Sequence, residues 1–157
     1  MRAFALSFLL VITGCAHNAT TVIVDQKIEG PKVIALDAPR TPWVVEIEQS
    51  LRKSGFKVLR RASVNKVTEK VTDARTEEYR ESATRYVLVV SGSAPMDSMH
   101  RCFAGGYDFE YLTAELVDTR TNETLLNVTG SGYSENCPPM SGSLFGNITS
   151  AVVNAWH

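Results

Sequence analysis

YLTAELVDTRTNETLLNVTGSG, residues 111–132, is the stretch that decides the fold. Two apolar, β-branched runs flank the turn-forming segment 118–122, Asp-Thr-Arg-Thr-Asn, a pattern typical of a β-hairpin. If Val117 pairs with Thr124, the numbers of opposed residues add up to 241. This register predicts four further pairs: Leu116 with Leu125, Glu115 with Leu126, Tyr111 with Gly130 and Phe109 with Gly132. In the last two pairs an aromatic ring covers a bare glycine, which favours this register.

The same hairpin predicts a disulfide at its open end. Cys102 and Cys137 add up to 239, so one or two β-bulges would bring their sulfur atoms together. Apart from Cys15, which has a separate role below, they are the only cysteines of the chain. An even number of cysteines in an exported protein favours one disulfide. We therefore expect a Cys102–Cys137 bond that ties the hairpin shut.

Patterns outside the hairpin predict an α+β domain. Thr41 and Pro42 form a helix-start signal, and Gly55 is a helix stop. The predicted elements, in chain order, are a strand at 32–36, a helix at 42–55, strands at 56–64 and 85–93, the two hairpin strands, and a C-terminal helix beginning at Ser141 or Ser143. They assemble into a mixed or antiparallel sheet of four to five strands with two packed helices, and residues 21–24 could add an edge strand.

The segment 66–82 is heavily charged, with five acidic and four basic residues. Val67, Val71 and Ala74 form only a thin apolar stripe at helical spacing. This pattern favours a partly exposed helix or a mobile excursion. A solvated helix is the simpler interpretation, and a partner-binding arm is the alternative.

The N-terminus indicates export and anchoring. Arg2 precedes an apolar run at 3–12, which is too short to span a membrane and has the layout of a secretory signal. The run ends in Ile-Thr-Gly-Cys, residues 12–15, which resembles the bacterial lipobox. That resemblance implies cleavage before Cys15 and acylation of its thiol and amine, with several acyl chains giving stable anchoring.

These features divide the chain into a lipoprotein signal peptide at 1–14, a lipidated N-terminus and short tether at 15–31, and a single periplasmic α+β domain at 32–157. Ala16, rather than aspartate, follows the cysteine, which favours the outer membrane. The alternative is an ordinary secretory signal cleaved after Ala16 or Ala19, which would release a soluble protein.

Composition argues against several classes of function. Without Arg2 the net charge is near −2, which provides no basic field for nucleic acid. The three histidines, at 17, 100 and 157, lie far apart in sequence and show no metal-ligand spacing. We expect no metal, no cofactor and no enzymatic activity. The segment Asp97-Ser98-Met99-His100 supports an envelope hydrolase only as a minor alternative.

Three stretches carry a family resemblance: EIEQSLRKSGFKVLRRASV at 46–64, ATRYVLVVSGS at 83–93, and the hairpin at 111–132. Together they resemble bacterial envelope lipoproteins that include CsgG, LpoB and the N-terminal domain of TolB. The resemblance implies an α+β sheet-and-helix domain in the cell envelope. Asn122 stands where those proteins usually have a glycine, and no site residues carry over.

Binding is the function that these observations leave. The loop at 94–106 and its flank hold residue types that are enriched at protein interfaces: Met96, Met99, Arg101, Phe103 and Tyr107. Packing of the same residues against the end of the sheet is the alternative. We therefore expect a membrane-anchored, non-enzymatic binding or assembly module for an envelope complex, whose protein partner and oligomeric state the sequence leaves open. A secreted or surface-displayed inhibitor or exclusion protein is the second hypothesis.

Overall fold

The computed structural model describes residues 20–23, 27–60, 68–72, 75–78, 84–94 and 101–156. Its elements are β1 (Thr20–Ile23), β2 (Val33–Asp37), α1 (Pro42–Lys53), β3 (Lys57–Arg60), β4 (Thr68–Thr72), β5 (Arg75–Glu78), β6 (Tyr86–Ser93), β7 (Asp108–Asp118), β8 (Glu123–Tyr133) and α2 (Leu144–Ala155). One mixed sheet and two helices make up the main body, which confirms the predicted α+β class.

Six strands form the main sheet in the order β1-β8-β7-β6-β2-β3. β2 runs parallel to β3 and β6, and the other neighbours are antiparallel. Five of these strands are the predicted ones, and β1 adds an edge strand along β8. Ile28 is also buried, beside Trp156 at the end of α2. The folded domain therefore begins before the predicted boundary at residue 32, because part of the predicted tether contributes to the sheet and the core.

The β7–β8 hairpin has the predicted register at both of its ends and a different register between them. Val117 lies opposite Thr124 and Phe109 opposite Gly132, as the sequence predicts. The intervening pairs are shifted by one residue: Leu116 with Leu126, Glu115 with Asn127, and Leu112 with Gly130. The predicted pairing of Tyr111 with Gly130 is therefore wrong.

Two β-bulges produce this shift, one on each strand. On β8 the bulge lies at Leu125, and both Leu125 and Leu126 are buried. A regular strand turns neighbouring side chains to opposite faces, so the bulge is what allows two consecutive leucines to be buried. On β7 the bulge leaves Glu110 and Tyr111 both exposed.

Within the charged segment, the described residues form two paired strands, where the sequence favours a partly exposed helix or a mobile excursion. β4 and β5 pair in an antiparallel manner, with Thr68 opposite Glu78 and Lys70 opposite Thr76. Threonine and valine are frequent here, and β-branched residues lose side-chain freedom in a helix but fit an extended chain. The remaining residues of 66–82 lie outside the described part of the chain.

Both helices pack on one face of the sheet and contact each other. The predicted apolar stripe of α1 is buried: Trp43, Val44, Ile47 and Leu51. At one end of the sheet the Phe109 ring meets those of Trp43 and Phe145 edge-on, with centroids 5.3 and 5.8 Å apart. Such pairs add about 0.5–1.5 kcal/mol each to the burial of their area. We call these three packed rings the aromatic floor; they lie at the open end of the β7–β8 hairpin.

The described residues place no helix on the other face of the sheet. There, short polar side chains hydrogen-bond across neighbouring strands. The hydroxyls of Ser91 and Thr113 lie 2.7 Å apart, and Ser93 donates to the Glu110 carboxylate at 2.8 Å. These contacts satisfy polar groups on an exposed sheet surface.

Candidate interaction site at the disulfide end

The open end of the β7–β8 hairpin is closed by a disulfide between Cys102 and Cys137, as predicted. Their Cα atoms lie 4.9 Å apart although 35 positions separate them in sequence. We call the two loops that it joins, 101–107 and 134–142, the disulfide end. Backbone hydrogen bonds also connect the loops, from Gly106 N to the Asn136 carbonyl at 3.0 Å and from Ser134 N to the Tyr107 carbonyl at 2.8 Å. The disulfide end is therefore held by a covalent bond and by a short ladder.

Gly106 allows the two loops to approach this closely. A Cβ atom at this position would collide with the Glu135 carbonyl oxygen and with the Cys137 sulfur. Every other residue carries a Cβ, so only glycine fits here without moving the backbone of the opposite loop.

Tyr107 belongs to the core and not to a partner surface. It is 1% exposed, and its backbone N–H donates to the Ser134 hydroxyl at 2.9 Å. Its ring lies 6.0 Å from the Phe109 ring. Our assignment of Tyr107 to the partner-binding set is therefore wrong. Side chains two positions apart on a strand lie on the same face, so the sequence pattern already places Tyr107 on the inward-pointing face of Phe109.

Arg101 is exposed and covers the outer side of Tyr107. Its guanidinium carbon lies 5.1 Å from the centroid of the Tyr107 ring, which is the geometry of a cation–π contact. A guanidinium nitrogen also lies 3.5 Å from the Tyr107 hydroxyl, at the long limit for a hydrogen bond. Arg101 thus has an internal partner and one face open to solvent.

Phe103 is the most exposed apolar side chain in the described part of the protein, at 105%. It lies in a tight turn in which Cys102 N donates to the Gly106 carbonyl and Gly105 N donates to the Cys102 carbonyl. Gly105 has φ +94°, a conformation that glycine adopts without strain. The turn and the disulfide together hold the phenyl ring away from the core.

Met140 adds a second exposed apolar group to the disulfide end, at 56%. Its loop is fixed by hydrogen bonds from Cys137 N to the Ser141 hydroxyl and from Gly142 N to the Ser134 carbonyl. Met140 is absent from the predicted set because it lies on the Cys137 side of the disulfide, whereas the predicted residues all lie on or near the Cys102 side. Met96 and Met99, also predicted for the partner surface, lie outside the described residues.

Glu135 belongs to the disulfide end, and Glu46 of α1 interacts with the charges of both Glu135 and Arg101. Glu135 accepts hydrogen bonds from the backbone N–H groups of Phe145 and Gly146 at 3.2 and 2.7 Å, and so caps the start of α2. Burial raises the pKa of Glu46 on α1, and the Glu135 carboxylate raises it further, while Arg101 opposes both effects. The disulfide end therefore has no excess of positive charge.

The other end of the hairpin, which we call the turn end, is built around an ion pair. Asp118 is 3% exposed, and its Oδ2 accepts a hydrogen bond from Arg85 Nε at 2.8 Å and lies 2.6 Å from Arg85 Nη2 in the ion pair. The Arg120 backbone N–H donates to the same carboxylate at 3.0 Å. The hydrogen bond from Arg85 lowers the pKa of Asp118, and this outweighs the opposing effect of burial.

The described residues contain no group of three or more His, Cys, Asp and Glu side chains that could hold a metal ion. The segment 97–100, on which the hydrolase alternative rests, lies outside the described residues. No helix among the described residues is long and apolar enough to cross a membrane.

The sequence matches no known family model and no curated protein sequence. Its structure is similar to a PelC dodecamer from Paraburkholderia phytofirmans, with a TM-score of 0.44 and 18% identity over 88% of this chain and 94% of that one. A variant of the same protein gives 0.41 and 19% over 88% and 93%. TolB from Acinetobacter baumannii gives 0.42 and 15%, and the match covers 88% of this chain and 31% of that one. Scores and identities this low assign no function to this protein.

Proposed function

We propose that this protein is an outer-membrane lipoprotein, anchored through Cys15, whose periplasmic domain is a non-enzymatic binding module of a cell-envelope assembly. The observation that carries the binding role is the disulfide end, where the Phe103 ring stands in solvent on a covalently closed loop. Removing an apolar side chain of this size from water contributes about 1.5–3 kcal/mol. Because Phe103 is exposed in the folded chain, this free energy is gained only when its ring contacts another surface.

The build of the disulfide end supports contact with a partner surface. Phe103 and Met140 are presented by loops whose backbones are joined by a disulfide and by hydrogen bonds. A preorganised loop loses little conformational freedom when it binds, so more of the contact energy remains as affinity.

Two observations support the envelope location. The lipobox-like residues 12–15 follow an apolar run with the layout of a signal peptide. The Cys102–Cys137 disulfide fits an oxidising compartment, since disulfides persist in the periplasm and are rare in the cytosol. Both observations are independent of the binding role.

Crosslinking in intact cells, followed by extraction of the membranes and intact-mass spectrometry, tests this proposal. We expect a mature protein that begins at Cys15, carries acyl chains, and is joined reproducibly to one envelope protein. The matched control is Cys15→Ser, which should move the protein from the membrane fraction to the soluble fraction.

Two results would contradict the proposal in different ways. An unmodified N-terminus at His17 or Thr20, in the soluble fraction of wild-type cells, would favour the secreted inhibitor. An acylated protein that turns over a cell-wall substrate, and loses turnover on substitution of Ser98 or His100, would establish the hydrolase instead.

A further inference from the structure

The direction of β1 determines where the predicted anchor leaves the sheet. Thr20 lies opposite Thr129 and Ile23 opposite Leu126, so β1 runs antiparallel to β8. β8 ends at Tyr133, next to the loop that contains Cys137. The N-terminal end of β1 therefore points toward the disulfide end and away from the turn end.

The chain between Thr20 and Cys15 is short. They are five positions apart in sequence, and a chain of five residues reaches at most about 18 Å when fully extended. From Thr129 to Tyr133, β8 continues for four residues, or about 13 Å, toward the disulfide end. The turn end lies in the other direction, six residues or about 20 Å along β8 from Thr129 to Glu123. Because β1 also directs the chain toward the disulfide end, an acyl group on Cys15 reaches a membrane there more easily than one beyond the turn end.

The exposed apolar side chains are at the same end as this predicted anchor. Phe103 and Met140 are the largest exposed apolar groups on the two loops that the disulfide joins. Aromatic and long aliphatic side chains partition into the boundary between headgroups and acyl chains. The neighbouring charges, Arg101 with Glu46 and Glu135, do not add up to a basic patch that would bind anionic headgroups by charge alone.

We propose that the disulfide end lies against the membrane that holds the Cys15 anchor, with Phe103 and Met140 inserted at the headgroup boundary. This inference rests on the proposed anchoring at Cys15 and names the bilayer as the partner of the disulfide end. The two attachments act together, because the lipid raises the effective concentration of the loop at the membrane. The contact fixes the orientation of the domain, so the turn end points into the periplasm, where an envelope protein can reach it.

Fluorescence quenching in vesicles tests this orientation. The full acylated protein is reconstituted into phosphatidylcholine vesicles that carry bromine on the acyl chains just below the headgroups. Phe103→Trp provides the reporter, and Thr121→Trp, on the exposed turn end, provides the matched control. The two native tryptophans, Trp43 and Trp156, are buried and contribute the same background to both variants.

We expect Phe103→Trp emission to shift to shorter wavelength on reconstitution and to be quenched severalfold more than Thr121→Trp emission. Adding salt should leave the difference unchanged, because the contact is apolar. Equal quenching of both variants in a protein that floats with the vesicles would overturn the inference and leave the anchor intact. A protein without acyl mass that does not float would overturn the anchoring proposal itself.

Discussion

The two ends of the β7–β8 hairpin are closed in different ways. At the turn end, Asp118 is buried and its carboxylate is paired within the protein, with the Arg85 guanidinium and with the Arg120 and Thr121 backbone N–H groups. At the disulfide end, a covalent bond closes the hairpin, and the largest apolar groups, Phe103 and Met140, point into solvent. Both ends fix the hairpin, but only the disulfide end presents large apolar side chains that are not packed against the rest of the protein.

This contrast separates stability from interaction. Polar groups at the turn end are satisfied by one another, so this end needs no partner to be stable. A disulfide stabilises a fold mainly by restricting the unfolded chain, without demanding that nearby side chains be buried. The disulfide end can therefore keep an aromatic ring exposed and remain ordered. The predictions below test whether the two ends differ in this way.

Removing the disulfide should have the largest effect on stability. In the chain-entropy model, opening a loop of 35 residues costs about 3–4 kcal/mol in the free energy of unfolding. We expect this loss for the Cys102→Ala/Cys137→Ala double variant in urea denaturation. A loss below about 1 kcal/mol would mean that hydrogen bonds alone hold the disulfide end, and would remove the basis of the contrast.

Asp118→Asn should have the next largest effect. The substitution weakens the charge-assisted hydrogen bonds of a buried group, so we expect a loss of about 1–2 kcal/mol near neutral pH. Because folding lowers the pKa of Asp118, its contribution is present above the pKa of the unfolded chain and is lost as the pH falls through the folded value. The difference between wild type and variant should thus shrink below about pH 4, as measured by denaturation at several pH values. A difference that is constant with pH would contradict this assignment.

Glu46→Gln should show the opposite pH dependence with a smaller size. Folding raises the pKa of Glu46 because of burial and the nearby Glu135, so protonation stabilises the fold, and this contribution is lost as the pH rises through the folded value. We expect the variant to gain less than about 0.5 kcal/mol near neutral pH, and to lose this gain in acid. Denaturation curves of Glu46→Gln and Asp118→Asn, measured together, compare the two ends directly. If the stability differences of the two variants from wild type change with pH in the same direction, the opposite pKa shifts of Glu46 and Asp118 are contradicted.

Phe103→Ser should change stability least. The ring has no contact with the core, so we expect unfolding to change by no more than about 0.5 kcal/mol in either direction. Phe109→Ser, two strand residues beyond the disulfide end in the aromatic floor, is the contrasting variant and should be severely destabilised. A large loss for Phe103→Ser would show that the ring supports the fold and is not kept for a partner.

Much of the fold can be predicted from the sequence because local signals agree with one another there. The turn at 118–122 and the two cysteines specify the hairpin from its opposite ends, and both are correct. At the centre of the hairpin the observed register differs from the predicted one because of the bulge at Leu125. This bulge allows Leu125 and Leu126 both to be buried, and the sequence of the two strands alone does not show that the helices cover both side chains. Within the segment 66–82, the stripe at helical spacing favours a helix, but its β-branched residues fit the strands β4 and β5 that the structure describes there.

The candidate site was less predictable than the fold. Composition selected Arg101 and Phe103, which are exposed, but also Tyr107, which is buried. Residue type alone cannot separate an aromatic anchor from a core aromatic two to four positions away. Met140 joins the site only through the disulfide, and the direction of β1 depends on a pairing between residues more than 100 positions apart.

Photo-crosslinking in intact cells tests the central claim most directly. A photoreactive phenylalanine analogue is placed at position 103 in one strain and at position 121 in a second, in otherwise identical full-length protein. We expect phospholipid adducts at position 103 and none at position 121, because only the disulfide end faces the membrane. Lipid adducts at position 121, or protein adducts alone at position 103, would contradict it.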